Sequence, residues 1–514
     1  MKKQTGGIIA LCAAVLLLGG GVVALKMTDP DKNKDNGTSS GSEVTTSAEG
    51  SGIILVDDSA ELPTGTAASE THTDGVISTV DVKNSTDEFH LVIKDEPSSD
   101  SAATYTFADC EDLPLNTTLI GTLANNANEL TSASVIEENC TDFEKFGLGD
   151  SAISVRVTYK SGNTRTFYVG DATPVNAQTY LRLEGSDTVY TVNTSTIANY
   201  SKTFNDFIDL TLLEKPADDA YPIINSLRIE RKDIDYDILL EYSGDDDNSS
   251  GTSATHVMVE PTKAYLTVEK STDITTGMFG LSGSGVYAVR CTDADIASAG
   301  LSDPFCKVTM ACDDGNTYVL LLSESFKDDG GDEVCYGMLE GSNVIYTISA
   351  DKSKWISVTP IDIASRMIIA SYVWNIPELS VTVGTAKTEF KIEAKDANLD
   401  KSSAKAEDFN VTKNGSAFDA ERYRQFYAFI LKAYGEEFAL DAEIPDSEPM
   451  AEVKYTDSYD NTTTTVCFYD YSAMTALITI NGEAKYTCTK SYVQTLIDNF
   501  NKLDTNEEFV TTWK

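Results

Sequence analysis

A thirteen-residue phrase occurs twice in this chain, and it constrains the fold more than any other feature of the sequence. The first copy, YLRLEGSDTVYTV, occupies Tyr180–Val192, and the second copy, YGMLEGSNVIYTI, occupies Tyr336–Ile348. The two copies lie 156 residues apart and share seven identical positions. A phrase that returns at so long an offset indicates that a whole structural unit has been duplicated.

The sequence ahead of each phrase repeats in the same order of elements. Residues 153–159 and residues 306–312 alternate apolar and polar side chains, which predicts a strand with one buried face in each copy. A Gly-Asn turn follows each strand, and an apolar return strand follows each turn. A third and weaker copy at residues 451–503 has the same order of strands, with an Asn-Gly turn near its end.

Helices are expected on both sides of the hairpins. An apolar stripe at residues 119–130, with Asn116 as its N-cap, predicts a helix before the first hairpin. A second stripe at residues 197–208 predicts one helix after the first phrase. Corresponding stripes flank the third copy at residues 423–434 and 492–503, whereas the second copy is too rich in glycine to predict the first of its helices.

These patterns predict an α+β fold. We expect tandem repeats of an antiparallel sheet covered by helices, after one N-terminal transmembrane helix. The predicted organisation is a membrane anchor or signal segment at 1–26, a flexible acidic linker at 27–74, and repeat units at 75–213, 214–371 and 372–514, the last of them divergent.

The residues that define the repeat are expected to be structural, because glycines serve turns and tyrosines pack against sheets. This signature consists of Gly147, Gly162, Tyr180, Gly185 and Tyr190 in the first copy and of Gly300, Gly315, Tyr336, Gly341 and Tyr346 in the second.

The N-terminus predicts a membrane anchor. Lys2 and Lys3 precede an uncharged run, Gly6–Leu25, whose twenty residues span about 30 Å as a helix. The basic end is expected to stay in the cytoplasm, which places the bulk of the chain outside the cell membrane. A cleaved signal peptide and a buried core helix are the alternatives for this segment. In the linker that follows, the apolar patch Ile53–Val56 is either a docking strand or a local cluster.

The charge of the chain excludes one class of partner. The sequence has 81 acidic and 39 basic residues, and its formal net charge is −42. Phosphate backbones require Lys and Arg contacts, so we expect no nucleic acid to bind.

The cysteines admit two interpretations. Eight follow the N-terminal segment, an even number, and no C-x-x-C pair occurs. Cys110 and Cys140 flank the first predicted helix, and Cys467 and Cys488 fall on strands that could be neighbours. Both pairs are candidate disulfides, and buried free thiols are the alternative.

No catalytic motif predicts an enzyme, and we expect no cofactor. The P-loop and the H-E-x-x-H zinc motif are missing from the sequence, which has three histidines in total. Acidic stretches at Asp29–Gly37, Asp245–Asp247 and Asp328–Glu333 could hold calcium, but the first lacks the required glycine and glutamate. Solvated loops are the better interpretation, so no metal site is predicted.

The combination of an N-terminal anchor and these motifs resembles the bacterial family catalogued as "domain of unknown function 4340". In the first copy the resemblance is carried by Phe146-Gly147-Leu148, Gly162-Asn163, Val169-Gly170 and the phrase itself. The second copy matches at Ala299–Leu301 and in its phrase, but it lacks a counterpart of Gly170. The third copy keeps only the general pattern.

The resemblance implies a role at a membrane transporter, because members often sit beside ABC-type exporter components related to gliding-motility proteins. We therefore expect a non-catalytic, membrane-tethered, extracytoplasmic accessory or binding protein. Its expected partners are the membrane, through the N-terminal helix, and an ABC-type permease or another envelope protein. The alternative is a free-standing cell-surface adhesin or a structural spacer, and an enzyme ranks third.

Overall fold

The computed structural model describes residues 54–56, 76–98, 101–128, 130–174, 177–244, 254–459 and 461–513. The predicted segment 1–26 and nearly all of the linker 27–74 lie outside these residues. Three large antiparallel sheets account for most of the strands. Each large sheet with its helices is called a module below, and the modules are numbered in chain order.

The first module follows a short strand from the linker. Its eight-stranded sheet has the order β4-β3-β2-β7-β8-β9-β10-β6, and β1 pairs with β5 beside it. The elements are β1 (Ile54–Val56), β2 (Ile77–Lys83), β3 (Glu88–Asp95), β4 (Thr104–Phe107), α1 (Thr117–Asn128), β5 (Leu130–Thr131), β6 (Ser134–Glu137), β7 (Ile153–Tyr159), β8 (Thr164–Ala172), β9 (Gln178–Leu183), β10 (Val189–Asn193) and α2 (Thr194–Ile197).

The second module has a ten-stranded sheet. Its main order is β14-β13-β12-β11-β16-β17-β19-β20-β15, and β18 pairs with β19. The elements are β11 (Ile224–Arg231), β12 (Ile238–Tyr242), β13 (His256–Glu260), β14 (Ala264–Tyr265), α3 (Val268–Thr276), β15 (Gly285–Val289), α4 (Asp293–Ser298), β16 (Cys306–Cys312), β17 (Thr317–Leu322), β18 (Phe326–Lys327), β19 (Glu333–Leu339), β20 (Val344–Ser349) and α5 (Pro360–Ile363).

The third module has a nine-stranded sheet in the order β24-β23-β22-β21-β26-β27-β28-β29-β25. Its elements are β21 (Glu378–Val383), β22 (Ala386–Ala394), β23 (Phe409–Lys413), β24 (Ser416–Phe418), α6 (Ala420–Ile430), β25 (Glu437–Phe438), β26 (Ala451–Asp457), β27 (Thr462–Asp470), β28 (Thr475–Ile480), β29 (Glu483–Thr489) and α7 (Lys490–Asn501).

All three sheets follow one plan. Each sheet consists of two antiparallel meanders, and the first strand of one pairs with the first strand of the other. These central pairs are β2 with β7, β11 with β16, and β21 with β26. The edge strand β6, β15 or β25 completes the far side. The two copies of the phrase lie on equivalent hairpins, β9–β10 and β19–β20. The predicted α+β fold of antiparallel sheets is thereby confirmed.

The helices agree with the sequence in part. The backbone N–H of Leu119 donates to the Asn116 side-chain oxygen at 3.0 Å, so Asn116 caps α1 as predicted. The stripe at 197–208 does not form one helix, because α2 gives way to two separate 3-10 turns, Ala198–Ser201 and Phe204–Phe207. Thr203 is extended between these turns and caps the second of them with Asp206. The second module does have a helix, α3, just before its glycine-rich stretch.

The hydrophobic core has two main parts. One continuous cluster of buried side chains runs through the first and second modules, and it includes Phe207, Leu227 and Trp355. A separate cluster belongs to the third module, with Phe426 and Tyr492 at its centre. Among the residues that the structure describes, no helix combines the length and the apolar character needed to cross a bilayer.

We expect His256 to make the second module sensitive to acid. Its imidazole is buried, Nε2–H donates to the Ile224 carbonyl oxygen at 2.7 Å, and Nδ1 accepts from Thr255 Oγ1 at 3.0 Å. Burial lowers the pKa of His256 below the ordinary 6.5. The folded state therefore favours the neutral ring, and this contribution to stability, complete above pH 6.5, is lost as the pH falls below it.

The measurement is the unfolding midpoint of wild type and His256→Gln in denaturant at pH 7.5 and at pH 5. Because the glutamine amide can still donate but cannot titrate, the variant should lose less stability than the wild type over this interval. The difference between the two proteins removes the common effect of the many carboxylates. Equal losses in the two proteins would contradict the prediction.

Candidate functional site

A cleft of about 660 Å³ lies against the outer face of the first sheet, the face that looks away from the main core. A row of four residues crosses its floor, one from each of four adjacent strands. Lys83 on β2 pairs with Ser154 on β7, Ser154 pairs with Tyr168 on β8, and Tyr168 pairs with Arg182 on β9. The inward neighbours Val155, Phe167 and Leu181 are fully buried in the core.

Two aromatic rings and one backbone carbonyl position Arg182 in this cleft. Its guanidinium carbon lies 4.2 Å from the ring centroid of Tyr168 and 4.5 Å from that of Phe143. Its Nε–H donates to the Leu148 carbonyl oxygen at 3.3 Å. Cation–π contacts and this hydrogen bond together position the guanidinium, which has further N–H donors on its two Nη atoms.

A loop at residues 141–152 forms the roof of the cleft. It begins with the 3-10 turn Glu144–Phe146, which ends at Gly147 in the left-handed region, φ +67°. Behind the turn, a small apolar cluster of Cys140, Leu148 and Val189 fastens the loop to the sheet. The side chains of the cleft are of both charges, with Asp142, Glu144 and Asp150 near Lys83 and Arg182. Such a lining suits a polar ligand that both donates and accepts hydrogen bonds.

The roof approaches the sheet most closely at Gly170 on β8. A Cβ placed there would lie 2.3 Å from the carbonyl oxygen of Phe146 and 2.9 Å from Cγ of Leu148. The second module has Ser323 at this position, and its hydroxyl accepts from Tyr336 N–H at 2.9 Å and donates to the Glu324 carbonyl oxygen at 2.9 Å. Glycine is therefore needed at Gly170, where the roof touches β8, and is not needed at Ser323 in the second module.

We expect Gly170→Ala to destabilise the protein by about 1–3 kcal/mol, because the added methyl group overpacks a backbone contact that cannot yield. The matched control is Gly121→Ala on α1, where a Cβ meets nothing within 4 Å. That substitution should stabilise the helix by up to about 1 kcal/mol. Denaturant unfolding of both variants measures the two effects, and a neutral Gly170→Ala would show that the roof does not press on the strand.

The row of four residues that crosses the floor of the cleft has different residues in the other two modules. In the second module the row is Glu230, Lys307, Leu321 and Met338. Met338 packs there in an apolar cluster with Ala299, Leu301 and Ile345. In the third module the row is Thr382, Glu452, Cys467 and Thr479. The stacked arginine thus distinguishes the first module from its two copies.

The structure brings the signature residues of the two copies to equivalent places in the first and second modules. Gly185 and Gly341 occupy the tight turns of the two phrases with φ of +76° and +84°, a conformation that favours glycine. The other four signature glycines, Gly147, Gly162, Gly300 and Gly315, also have positive φ.

The signature tyrosines lie in unequal surroundings. The rings of Tyr180 and Phe146 lie 4.8 Å apart, and Tyr336 packs 4.4 Å from Tyr287. Tyr346 is buried, and its hydroxyl donates to the Asp209 carbonyl oxygen at 3.2 Å. Tyr190, its counterpart, is only half-buried.

The proposed disulfides are not formed, and the eight cysteines of the described residues are free thiols. Cys467 pairs with Thr479 and Cys488 pairs with Ala476, so β28 separates them by two strand spacings, about 10 Å. A disulfide needs Cα atoms within about 7 Å. Cys110 packs in the main core and Cys140 in the small cluster below the roof. Burial raises the pKa of Cys488 to about 12, as expected for an inert thiol.

The acidic stretches do not form a metal site in the part of the chain that the structure describes, where no group of three or more potential ligands converges. In the stretch Asp328–Glu333, Asp328 Oδ1 accepts from the backbone N–H groups of Gly330 and Asp332 and so closes its own loop. The stretches Asp29–Gly37 and Asp245–Asp247 lie outside the described residues.

Residues 106–275 match the family described as "Domain of unknown function (DUF4340)". The chain carries a domain of this family. The DUF4340 match begins in β4, includes the roof, Tyr168 and Arg182, and ends in α3, so it stops before the second phrase. Neither a curated protein nor a solved structure matches this chain.

Arg182 is not among the residues predicted from the sequence, although it lies inside the repeated phrase. Its signal is the difference between the copies, because the third residue of the phrase is Arg182 in one and Met338 in the other. A charged residue replacing an apolar one at an equivalent position of a repeat indicates a change of surroundings.

Proposed function

We propose that this protein is a non-catalytic binding or accessory protein that acts outside the cytoplasm on a membrane tether. The observation that supports binding most directly is the cleft of the first module, where Arg182 is held between two aromatic rings over an open volume of about 660 Å³. A rigidly placed guanidinium in a concave site favours recognition of a polar ligand.

The comparison between modules supports the same proposal. The second module fills the equivalent place with Met338 and its apolar neighbours Ala299, Leu301 and Ile345. The first module leaves its place open and presents both donors and acceptors there.

The proposals of a membrane tether and of a transporter partner are supported by the sequence. Lys2, Lys3 and the uncharged run Gly6–Leu25 favour an anchor whose following chain is exported. The resemblance to the DUF4340 family favours a partner among ABC-type permeases or other envelope proteins.

The location is tested by fractionating cells that express the full chain and cells that express the chain without residues 1–26. The full chain should remain with the membrane after an alkaline wash, and protease added outside the membrane should digest it. The shortened chain should be found in the soluble fraction. A full chain that is protected from external protease would contradict the proposal.

Binding is tested with a panel of polar small molecules and short peptides against the full chain, with thermal unfolding as the readout. A ligand of the cleft should raise Tm of the wild type and leave Arg182→Met unchanged, since that variant copies the second module. Arg182→Lys should recover little of the effect, because an ammonium lacks the planar fork. A ligand that stabilises Arg182→Met equally binds elsewhere and would remove the support from the cleft.

A further inference from the structure

The segment of chain that leads into each module pairs with that module at the same place. The residue three positions before the edge strand β6, β15 or β25 forms an antiparallel bridge with this leading segment. In the second module Thr211 pairs with Ser282, and in the third Met367 pairs with Tyr434. In the first module Ile54 on β1 pairs with Thr131 on β5. The linker strand β1 therefore occupies in the first module the position that the preceding module's exit segment occupies in the other two.

In the second module, the surface beside this bridge is the interface with the first module. Arg290 donates to both carboxylate oxygens of Asp112, from Nε at 3.0 Å and from Nη2 at 2.7 Å. Asn343 Nδ2 donates to the Asp112 carbonyl oxygen at 3.2 Å, and the Tyr346 hydroxyl donates to the Asp209 carbonyl oxygen. Strand β15 also contacts the 3-10 turn at residues 204–207.

Each residue of this interface has a counterpart in the first module. Tyr190 pairs with Val135 as Tyr346 pairs with Val286. Asn139 and Arg290 both have positive φ, +57° and +48°. Each is followed by a cysteine whose backbone N–H donates to the counterpart carbonyl, that of Asp187 or that of Asn343.

Most of these counterparts are more exposed than the residues of the interface. Val135 is 40% exposed and Val286 is half-buried, Tyr190 is half-buried and Tyr346 is 3% exposed, whereas Ile136 and its counterpart Tyr287 are exposed to similar fractions, 44% and 38%. Asn139 and Asp187 are exposed as well. We call the set Val135, Ile136, Asn139, Asp187 and Tyr190 the end face of the first module.

We propose that the end face is a docking surface for a different protein, which binds there in the way that the first module packs against the second module. The proposal rests on the proposed accessory function and names the surface that meets the partner. Continuity with the interface between modules supports it, because the fold and the register are the same and β6 has the apolar pair Val135 and Ile136 where β15 has Val286 and Tyr287. The charge specifies the partner: Asp187 stands where the second module has Asn343, and no arginine replaces Arg290. The partner should therefore present a Lys or Arg beside an apolar patch.

A second copy of this chain is a poor occupant of the end face. Two chains of formal net charge −42 repel each other. Residues 499–513 turn back onto the third module itself, with Val510 N–H donating to Asn499 Oδ1 at 2.8 Å and Trp513 packing 5.0 Å from Tyr492, so they are not placed to cover the end face of a second copy.

The test places the photocrosslinking residue p-benzoylphenylalanine at Ile136 of the full chain, in cells that produce the protein naturally. The matched control places it at Tyr471 of the third module, which has a similar exposed fraction, 46% against 44%. Adducts are identified by mass spectrometry. A different protein, crosslinked at a basic segment from Ile136 and not from Tyr471, is expected. Asp187→Lys should reduce this adduct at least tenfold, and Lys→Glu or Arg→Glu in the crosslinked segment should restore it.

Several results would overturn the proposal: no adduct from Ile136, equal adducts from both positions, an adduct with a second copy of this chain, or no effect of Asp187→Lys. Failure of the end face can be told from failure of the proposed function. If the protein is found in the membrane and co-purifies with a permease while Ile136 yields no adduct, only the end face is excluded. If it is neither exported nor associated with a membrane protein, the accessory function is excluded.

Discussion

Tyr492→Ala should unfold the third module before the other two. Tyr492 is buried, stacks on Phe429 at 5.3 Å, meets Trp513 at 5.0 Å and donates its hydroxyl to the Ile430 carbonyl oxygen at 3.1 Å. Truncating such a side chain costs about 3–5 kcal/mol, because the cavity stays unfilled and the hydrogen bond is lost. Since the core of the third module is separate from that of the first two, the loss should appear there alone.

The measurement is denaturant unfolding followed by tryptophan fluorescence. Trp374 and Trp513 lie in the third module, and Trp355 lies in the core of the first two. In the background Trp355→Phe, the fluorescence reports on the third module, and Tyr492→Ala should move its transition to lower denaturant. Tyr492→Phe is the matched control and should cost about 1 kcal/mol, the value of one hydrogen bond. An equal shift of the Trp355 transition, measured with Trp374 and Trp513 replaced by Phe, would show that the two cores are coupled.

Tyr346→Ala should destabilise the pair of first and second modules far more than Tyr190→Ala does. The two tyrosines hold the same position in the two copies of the phrase. Tyr346 is buried against the first module, and burial raises the pKa of its hydroxyl to about 12. We expect its truncation to cost about 3–5 kcal/mol, whereas Tyr190 is half-buried and its truncation should cost about half as much or less.

Comparison of the two variants by denaturant unfolding, with Trp355 as the reporter, checks this difference. Tyr346→Phe separates the packing of the ring from the hydrogen bond to Asp209 and should cost about 1 kcal/mol. Equal losses for Tyr346→Ala and Tyr190→Ala would mean that the first module does not shield its neighbour. The proposed end face would lose its physical basis in that case.

Much of the fold could be predicted because its signals are local. Alternation of apolar residues on β7 and β16 reflects the two faces of a strand, and the turn glycines reflect a backbone conformation that other residues avoid. The stripe on α1 and its Asn116 cap are equally local. The stripe at residues 197–208 misled because the same apolar spacing also suits two short turns that pack on the core. Periodicity records which side is buried and does not record whether the helix is continuous.

The sequence by itself determined that the chain is a duplicated α+β protein, through the repeated phrase and the apolar alternation and stripes around it, and its glycines determined where the hairpins turn. The tertiary structure alone decided which residues of each copy are buried and which strands pair. Arg182 and Met338 occupy one place in the fold, as do Tyr190 and Tyr346, yet the first member of each pair is half-buried and the second is buried. Cys467 and Cys488 lie on nearby strands that a third strand separates. The reason is that burial and pairing depend on segments distant in the chain, and no short stretch of sequence carries that information.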